Sequence, residues 1–150
     1  MAEPIRLALA YRRLGPLWRA LHDAFPQTHL DSPSHRLSVL LLRRVVEIRD
    51  GQQQLQPYLP PTAICAITQA AHAMDLTGKE LEATVEAALI SVALARYRAG
   101  LPAKFGSLMP SLPIDNVKQE IVQLERVAIA YARSPLTRAM SLVMAQHDER

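Results

Sequence analysis

The sequence predicts an all-α fold, a compact bundle of about five to seven helices with a central apolar helix near residues 36–56. Three observations carry this. Proline and glycine divide the chain into blocks of helical length. No run of period-two alternation bounded by turn residues argues for strands. Ala and Leu are abundant while aromatics make up only 5%, which favours helices. The 150 residues have the size of one domain, 1–150, large enough for a core of its own. With 49% hydrophobic and 21% charged residues, the composition is globular rather than disordered.

The first helical block covers residues 3–14. It is expected to stop at Gly15-Pro16, because a proline in mid-helix removes a hydrogen bond and clashes with the preceding turn. A second short helix then places Leu17, Trp18, Leu21 and Phe25 on one face and ends at Pro26, followed by loop chemistry from Gln27 to Ser34. From Arg36 onward, Leu37, Leu41, Val45, Ile48, Leu55 and Leu59 draw a continuous stripe, broadened by Leu40, Leu42 and Val46. Gly51 would weaken this helix by about 1 kcal/mol relative to Ala, so it marks a kink or the close approach of another backbone. Pro57 and Pro60-Pro61 end the block.

Thr62 is positioned to cap the next helix, which runs to Met74 with Ile64, Ile67, Ala71 and Met74 inward. Thr77-Gly-Lys-Glu80 has the spacing of a capping box, with Leu76 and Leu81 as a hydrophobic staple. Leu81, Val85, Ala88, Leu89 and Val92 continue inward to Ala99, and Gly100 followed by Pro102 stops the helix. Residues 101–115 read as a long loop. A helix from Asp115 buries Ile121, Leu124, Val127 or Ala128, and Tyr131. Ser134-Pro135 then looks like a cap with proline at the first helical position, launching a last helix to Gln146.

The net charge of +3 is concentrated early: residues 1–50 hold eight Lys/Arg against five Asp/Glu, and residues 51–100 three against four. So modest an excess reads first as a solvated basic face. The lone cysteine, Cys65, excludes an internal disulfide and fits a reducing compartment; among Ala63, Ile64, Ala66 and Ile67 it is expected to be a buried small hydrophobe. No stretch approaches the roughly 18 apolar residues of a membrane span.

Candidate chemistry centres on Arg43, Arg44, Glu47 and Asp50, whose three- and four-residue spacings place them near one another on a helix surface. The simplest reading is an intrahelical ion-pair ladder with Arg49 as a solvated neighbour, or pairing between helices. The functional one is a phosphate-binding or acid–base site, with His22 or His72 contributing. His29, Asp31 and His35 offer ligand atoms for a divalent metal, but their spacing matches no standard site, and no metal or cofactor is expected. Arg12, Arg13, Trp18 and Arg19 form a candidate contact surface, since indole is amphipathic and suits an interface. Ser32, Ser34, Ser91, Ser107 and Ser111 lack a nucleophile elbow, the glycines form no phosphate cradle, and no helix displays the basic side chains of a nucleic-acid reader.

Three stretches together carry a family likeness: Gly15-Pro-Leu-Trp-Arg-Ala-Leu-His-Asp-Ala-Phe-Pro26, then Leu42-Arg-Arg-Val-Val-Glu-Ile-Arg-Asp-Gly51 with Leu55-Gln-Pro-Tyr-Leu-Pro60, then Leu76-Thr-Gly-Lys-Glu-Leu-Glu-Ala-Thr-Val-Glu-Ala-Ala-Leu89. Over residues 14–134 the chain resembles the cytosolic helical domain of actinobacterial transporter-like membrane proteins of unknown function. The resemblance implies a helical domain facing the cytoplasm and supplies no catalytic residues. Without the membrane region of that family, the chain is expected to be a stand-alone member or an excised domain.

The expected function is a non-enzymatic interaction or regulatory module in the cytoplasm, acting through protein contacts, with a homodimer among its forms. One alternative is a small helical enzyme or small-ligand binder using Arg43, Arg44, Glu47 and Asp50. The other is a peripheral module at the inner membrane surface using Arg12, Arg13, Trp18 and Arg19.

Overall fold

The computed structural model describes residues 3–31, 35–105 and 116–146, and in the last helix the side chains as far as Met140 together with Leu142. Among the described residues six helices follow in order: α1 Glu3–Ala24, α2 Leu37–Leu55, α3 Pro61–Ala73, α4 Gly78–Arg98, α5 Val117–Arg133 and α6 Pro135–Gln146. Single 3-10 turns at Pro26–Thr28 and Gln56–Tyr58 close the first two helices, and no strand is present among the described residues. Gly106 to Asp115, most of the expected 101–115 loop, lies outside the described residues, as do Ser32 and Ser34.

The core has two parts. Leu14, Leu17 and Leu21 of α1, Leu41, Val45, Ile48 and Leu55 of α2, and Leu124, Val127 and Ala128 of α5 enclose the first, together with Ala83, Ala87, Ile90, Ala93 and Leu94 of α4. Ala63, Ile67 and Ala71 of α3 meet Ala88 and Val92 of α4 and Leu136 of α6 in the second. Helix α4 therefore contributes to both. It is buried around its circumference, and its run of alanines lets neighbouring helices approach. Helix α2 carries the inward stripe its spacing predicts, but Val39 and Leu42 on its outer side are 37% and 45% exposed, so the helix enclosed on the most sides is α4.

The expected break at Gly15-Pro16 does not occur: α1 runs through Pro16. Leu14 and Leu17, flanking the proline, are both completely buried, so tertiary packing holds both sides in line. Pro16 itself is exposed, where the Arg12 carbonyl it leaves without a helical donor can meet water. Gly51 marks a close approach, one of the two expectations for it. A Cβ there would lie 3.0 Å from Leu21 Cβ, so α1 and α2 touch at this point.

Several ends differ from their sequence signals. Thr62 lies inside α3, whose N-cap is Pro60 with Pro61 in the first turn. Thr77 is the N-cap of α4, yet its side chain makes no capping bond, because Gly78 turns the backbone to φ +59 and takes the chain out of capping-box geometry. Asn116 caps α5, its side chain accepting from the Gln119 amide at 3.2 Å. Pro135 opens α6 as expected, while the Ser134 hydroxyl is buried without a hydrogen-bond partner among the described residues. The end of α4 follows its signal: with Gly100 at φ +75, the Gly100 and Leu101 amides bond back to the Tyr97 and Arg96 carbonyls, a Schellman motif. Cys65 is exposed on α3, since Ala63 and Ile67 take the inward face on either side of it.

Candidate functional site

At 100° per residue, the α2 stripe Leu41, Val45, Ile48 and Leu55 defines an inner face. Arg44, Glu47 and Gly51 fall on the flank towards α1, Arg49 on the opposite flank, and Arg43 and Asp50 on the outer side. The four charges read as one cluster therefore disperse. Asp50 forms no hydrogen bond or ion pair among the described residues and lies half-buried on the helix surface. Arg43 stays with Glu47, one turn away, its Nε 3.5 Å from Glu47 Oε1.

Glu47 is the buried member, its side chain only 2% exposed. Its Oε2 accepts from Trp18 Nε1 of α1 at 2.5 Å, and its Oε1 accepts from the Leu30 backbone amide at 3.0 Å. A single carboxylate thus ties α2 to α1 and to the segment beyond the first 3-10 turn. Buried indole N–H groups require an acceptor, and here the acceptor is charged. His29 Nδ1 lies 3.7 Å from Glu47 Oε1, and His29 Nε2 lies 3.3 Å from Asp31 Oδ1. The His22 ring stacks on Trp18 with centroids 4.8 Å apart and meets the edge of His29 at 5.3 Å. His22 Nδ1 is buried and has no hydrogen-bond partner among the described residues.

Arg44, on the same flank, also meets α1. Its guanidinium lies 3.6 Å from the Tyr11 ring centroid and 4.6 Å from that of Trp18, and it donates to the Tyr11 carbonyl at 2.7 Å. That carbonyl is one residue from the Arg12 carbonyl freed by Pro16, and Gly15, 3.7 Å from Arg44 Nη1, leaves room for the approach. Burial lowers the Arg44 pKa, with Arg43 and Arg19 pushing the same way and Tyr11 and Glu47 opposing. Tyr11, Arg12, Gly15, Pro16, Trp18, Arg19 and Arg44 line an open groove of about 300 Å³. Three of its seven lining residues are arginines. Arg12 and Arg19 are exposed and form no ion pair among the described residues, whereas Arg13 pairs with Glu125 of α5 at 2.8 Å.

On the far flank of α2, Arg49 is not a solvated neighbour. Its Nε donates to Glu120 of α5 at 2.5 Å, and its Nη1 donates to Glu86 of α4 at 2.5 Å and to Gln52 at 2.6 Å. Gln52 also donates to Glu86 at 2.8 Å. Burial by itself would lower the Arg49 pKa; Glu86 and Glu120 outweigh it and the net shift is upward.

Of the other histidines, His72 is exposed on α3, which packs against α4 and α6, and His35 is exposed just before α2. His29 keeps Asp31 as a neighbour, but the further partners of His29 are His22 and Glu47 rather than His35. The Trp18–Glu47 bond and the Arg49–Glu86–Glu120 network were missed from sequence. The available signal was angular: Glu47 shares a flank with Gly51, the residue expected to meet another backbone.

No helix among the described residues is long and apolar enough to cross a membrane. No curated protein and no solved structure matches the chain. A family model described as a family of unknown function, DUF6545, matches residues 5–134, a span that takes in α1 from its third residue, α2 to α5, the Glu47 cluster and the arginine groove. On that match, the chain belongs to the DUF6545 family of unknown function.

Proposed function

We propose that this chain is a non-enzymatic interaction or regulatory module, acting in the cytoplasm through protein contacts, and that its docking face is the arginine groove on α1. The observation that carries the reading is a group of three arginines over an aromatic floor, two of them exposed and without an ion pair among the described residues. Arg12, Arg19 and Arg44 surround Tyr11 and Trp18, while Glu47, the carboxylate that opposes the Arg44 charge, is buried and held by internal donors. Such a groove suits an acidic segment of a partner protein, because carboxylates take both the forked guanidinium donors and the field of several cations. The resemblance to the cytosolic domain of actinobacterial transporter-like proteins adds a setting beside a membrane region, in which that segment belongs to a neighbouring protein.

Trp18 favours a protein over a lipid surface as the partner. Its N–H is bonded to Glu47 and its ring is in contact with both His22 and Arg44, so it is not presented for insertion among headgroups. The enzyme reading lacks its assembly, since Asp50 and Arg44 lie on different sides of α2 from one another.

The test is binding of a fluorescent acidic peptide to the full chain and to the double charge reversal Arg12→Glu with Arg19→Glu. Both side chains are exposed, so the variant is expected to keep the wild-type circular dichroism melt and to lose peptide binding. Binding to anionic vesicles but not to the peptide would move the assignment to a membrane surface. Equal peptide binding by wild type and variant would remove the groove from the reading. Size-exclusion chromatography with crosslinking reports whether a second copy of the chain is also a partner.

A further inference from the structure

We propose that His22, His29 and Glu47 form a binding site for one divalent transition-metal ion of the zinc type, where the end of α1, the following 3-10 turn and α2 meet. Each side chain offers one ligand atom, and these atoms lie within 4.8 Å of one another. Two imidazoles and one carboxylate are a donor set that zinc takes in sites with three protein ligands and an open fourth position.

Three features of the cluster point to an ion. The first is the orphaned His22 nitrogen: Nδ1 is buried with no hydrogen-bond partner among the described residues, a condition that native structures rarely tolerate without a bound group. The second is how His29 is held. Its Nε2 lies 3.3 Å from Asp31 Oδ1 and its Nδ1 3.7 Å from Glu47 Oε1, so each ring nitrogen faces a carboxylate oxygen. A carboxylate on the outer nitrogen is the partner that metal-bound histidines usually have, and it leaves Nδ1 beside Glu47 to serve as the ligand atom. The third is that Glu47 is already fixed. Trp18 and Leu30 donate to one oxygen each, and a carboxylate has further lone pairs to give.

A tetrahedral zinc site places its ligand atoms about 3.3 Å apart, so the widest gap must close by about 1.5 Å. His22 and Glu47 sit on helices, and His29 supplies the movement from the exposed segment that follows the 3-10 turn. Arg43, 3.5 Å from Glu47 Oε1 and part exposed, is the cation that must swing outward as the ion enters. Asp31, fully exposed, serves as the positioning residue for His29.

The experiment is a titration of the tag-free full chain with Zn²⁺ and with Co²⁺, followed by calorimetry and by tryptophan emission. The chain has a single tryptophan, and its N–H is bonded to one of the proposed ligands, so emission reports on the site itself. One equivalent should bind, the emission change should saturate at the same stoichiometry, and the Co²⁺ form should show visible absorption of a tetrahedral centre. His29→Ala, exposed and outside the helices, should fold as wild type and bind roughly tenfold or more weakly. Asp31→Asn should weaken binding less, and His72→Ala on α3 should leave it unchanged. Absence of saturable binding to the wild-type chain, or equal affinity in His29→Ala, would overturn the proposal. Arg12 and Arg19 are not among the ligands, so the acidic-peptide result neither supports nor weakens this one.

Discussion

Glu47 and Arg49 stand two residues apart on α2 and organise its two flanks in opposite ways. Glu47 is a buried anion held by an indole N–H and a backbone amide, with one part-exposed arginine beside it. Arg49 is a cation set between two carboxylates, with 29% of its side chain still in solvent and Glu86 and Glu120 similarly placed at 31% and 24%. The first arrangement joins α2 to α1 through donors that have no other acceptor. The second joins α2 to α4 and α5 through charges that water also stabilises. Losing the central residue should therefore matter more on the α1 flank, because Glu47 is buried and both of its part-buried donors lose a charged acceptor, whereas part-exposed ions recover hydration.

The largest effect is expected from Glu47→Ala, on the order of 3 kcal/mol in urea unfolding, since it strands the Trp18 and Leu30 N–H groups. Glu47→Gln, which retains one acceptor oxygen, should lose less. If Glu47→Ala proved milder than Arg49→Ala under the same conditions, the contrast between the two flanks would collapse.

Arg49→Ala comes next, at about 1–2 kcal/mol, because it leaves Glu86 and Glu120 facing each other without their shared cation. The triple variant Arg49→Met, Glu86→Gln, Glu120→Gln should recover most of that loss. No recovery would show that the network contributes more than the removal of mutual repulsion.

Gly51→Ala probes the α1–α2 contact without touching a charge. The helix gains about 1 kcal/mol of propensity, but the new Cβ meets Leu21 Cβ at 3.0 Å, and overpacking of this kind costs about 1–3 kcal/mol. Leu21 is fully buried and cannot yield, so a net loss of about 1 kcal/mol is expected in thermal melts. A stabilised variant would mean that α1 and α2 separate readily despite the Glu47 tie.

The smallest effect belongs to Arg13→Ala. Its bond to Glu125 is short, but half of the Arg13 side chain is exposed, so the expected change is below about 0.5 kcal/mol and should vanish near 1 M salt. A larger, salt-resistant effect would place this pair with the Glu47 flank rather than with the exposed ions.

Local signals in the sequence determined the helical class, the inward residues of α2 and α5 and the Gly100 stop, because periodicity and backbone permissiveness act within a few residues, and they left Gly51 as either a kink or a close contact. Local signals also produced the misreadings. Pro16 breaks an isolated helix, but with Leu14 and Leu17 completely buried on either side, packing outweighs one missing hydrogen bond. Cys65 sits among apolar neighbours in sequence while pointing outward in space.

The site residues show the same division. Arg43, Arg44, Glu47 and Asp50 were legible as charges near one another, and their common helix was right. Which of them, and of their neighbour Arg49, would be buried, and against what, depended on residues 29 to 71 positions away in sequence: Trp18 for Glu47, Tyr11 for Arg44, Glu86 and Glu120 for Arg49. A helix fixes the angle at which a side chain leaves it. Only the packing of the other helices decides whether that side chain meets water, a ring or an opposite charge.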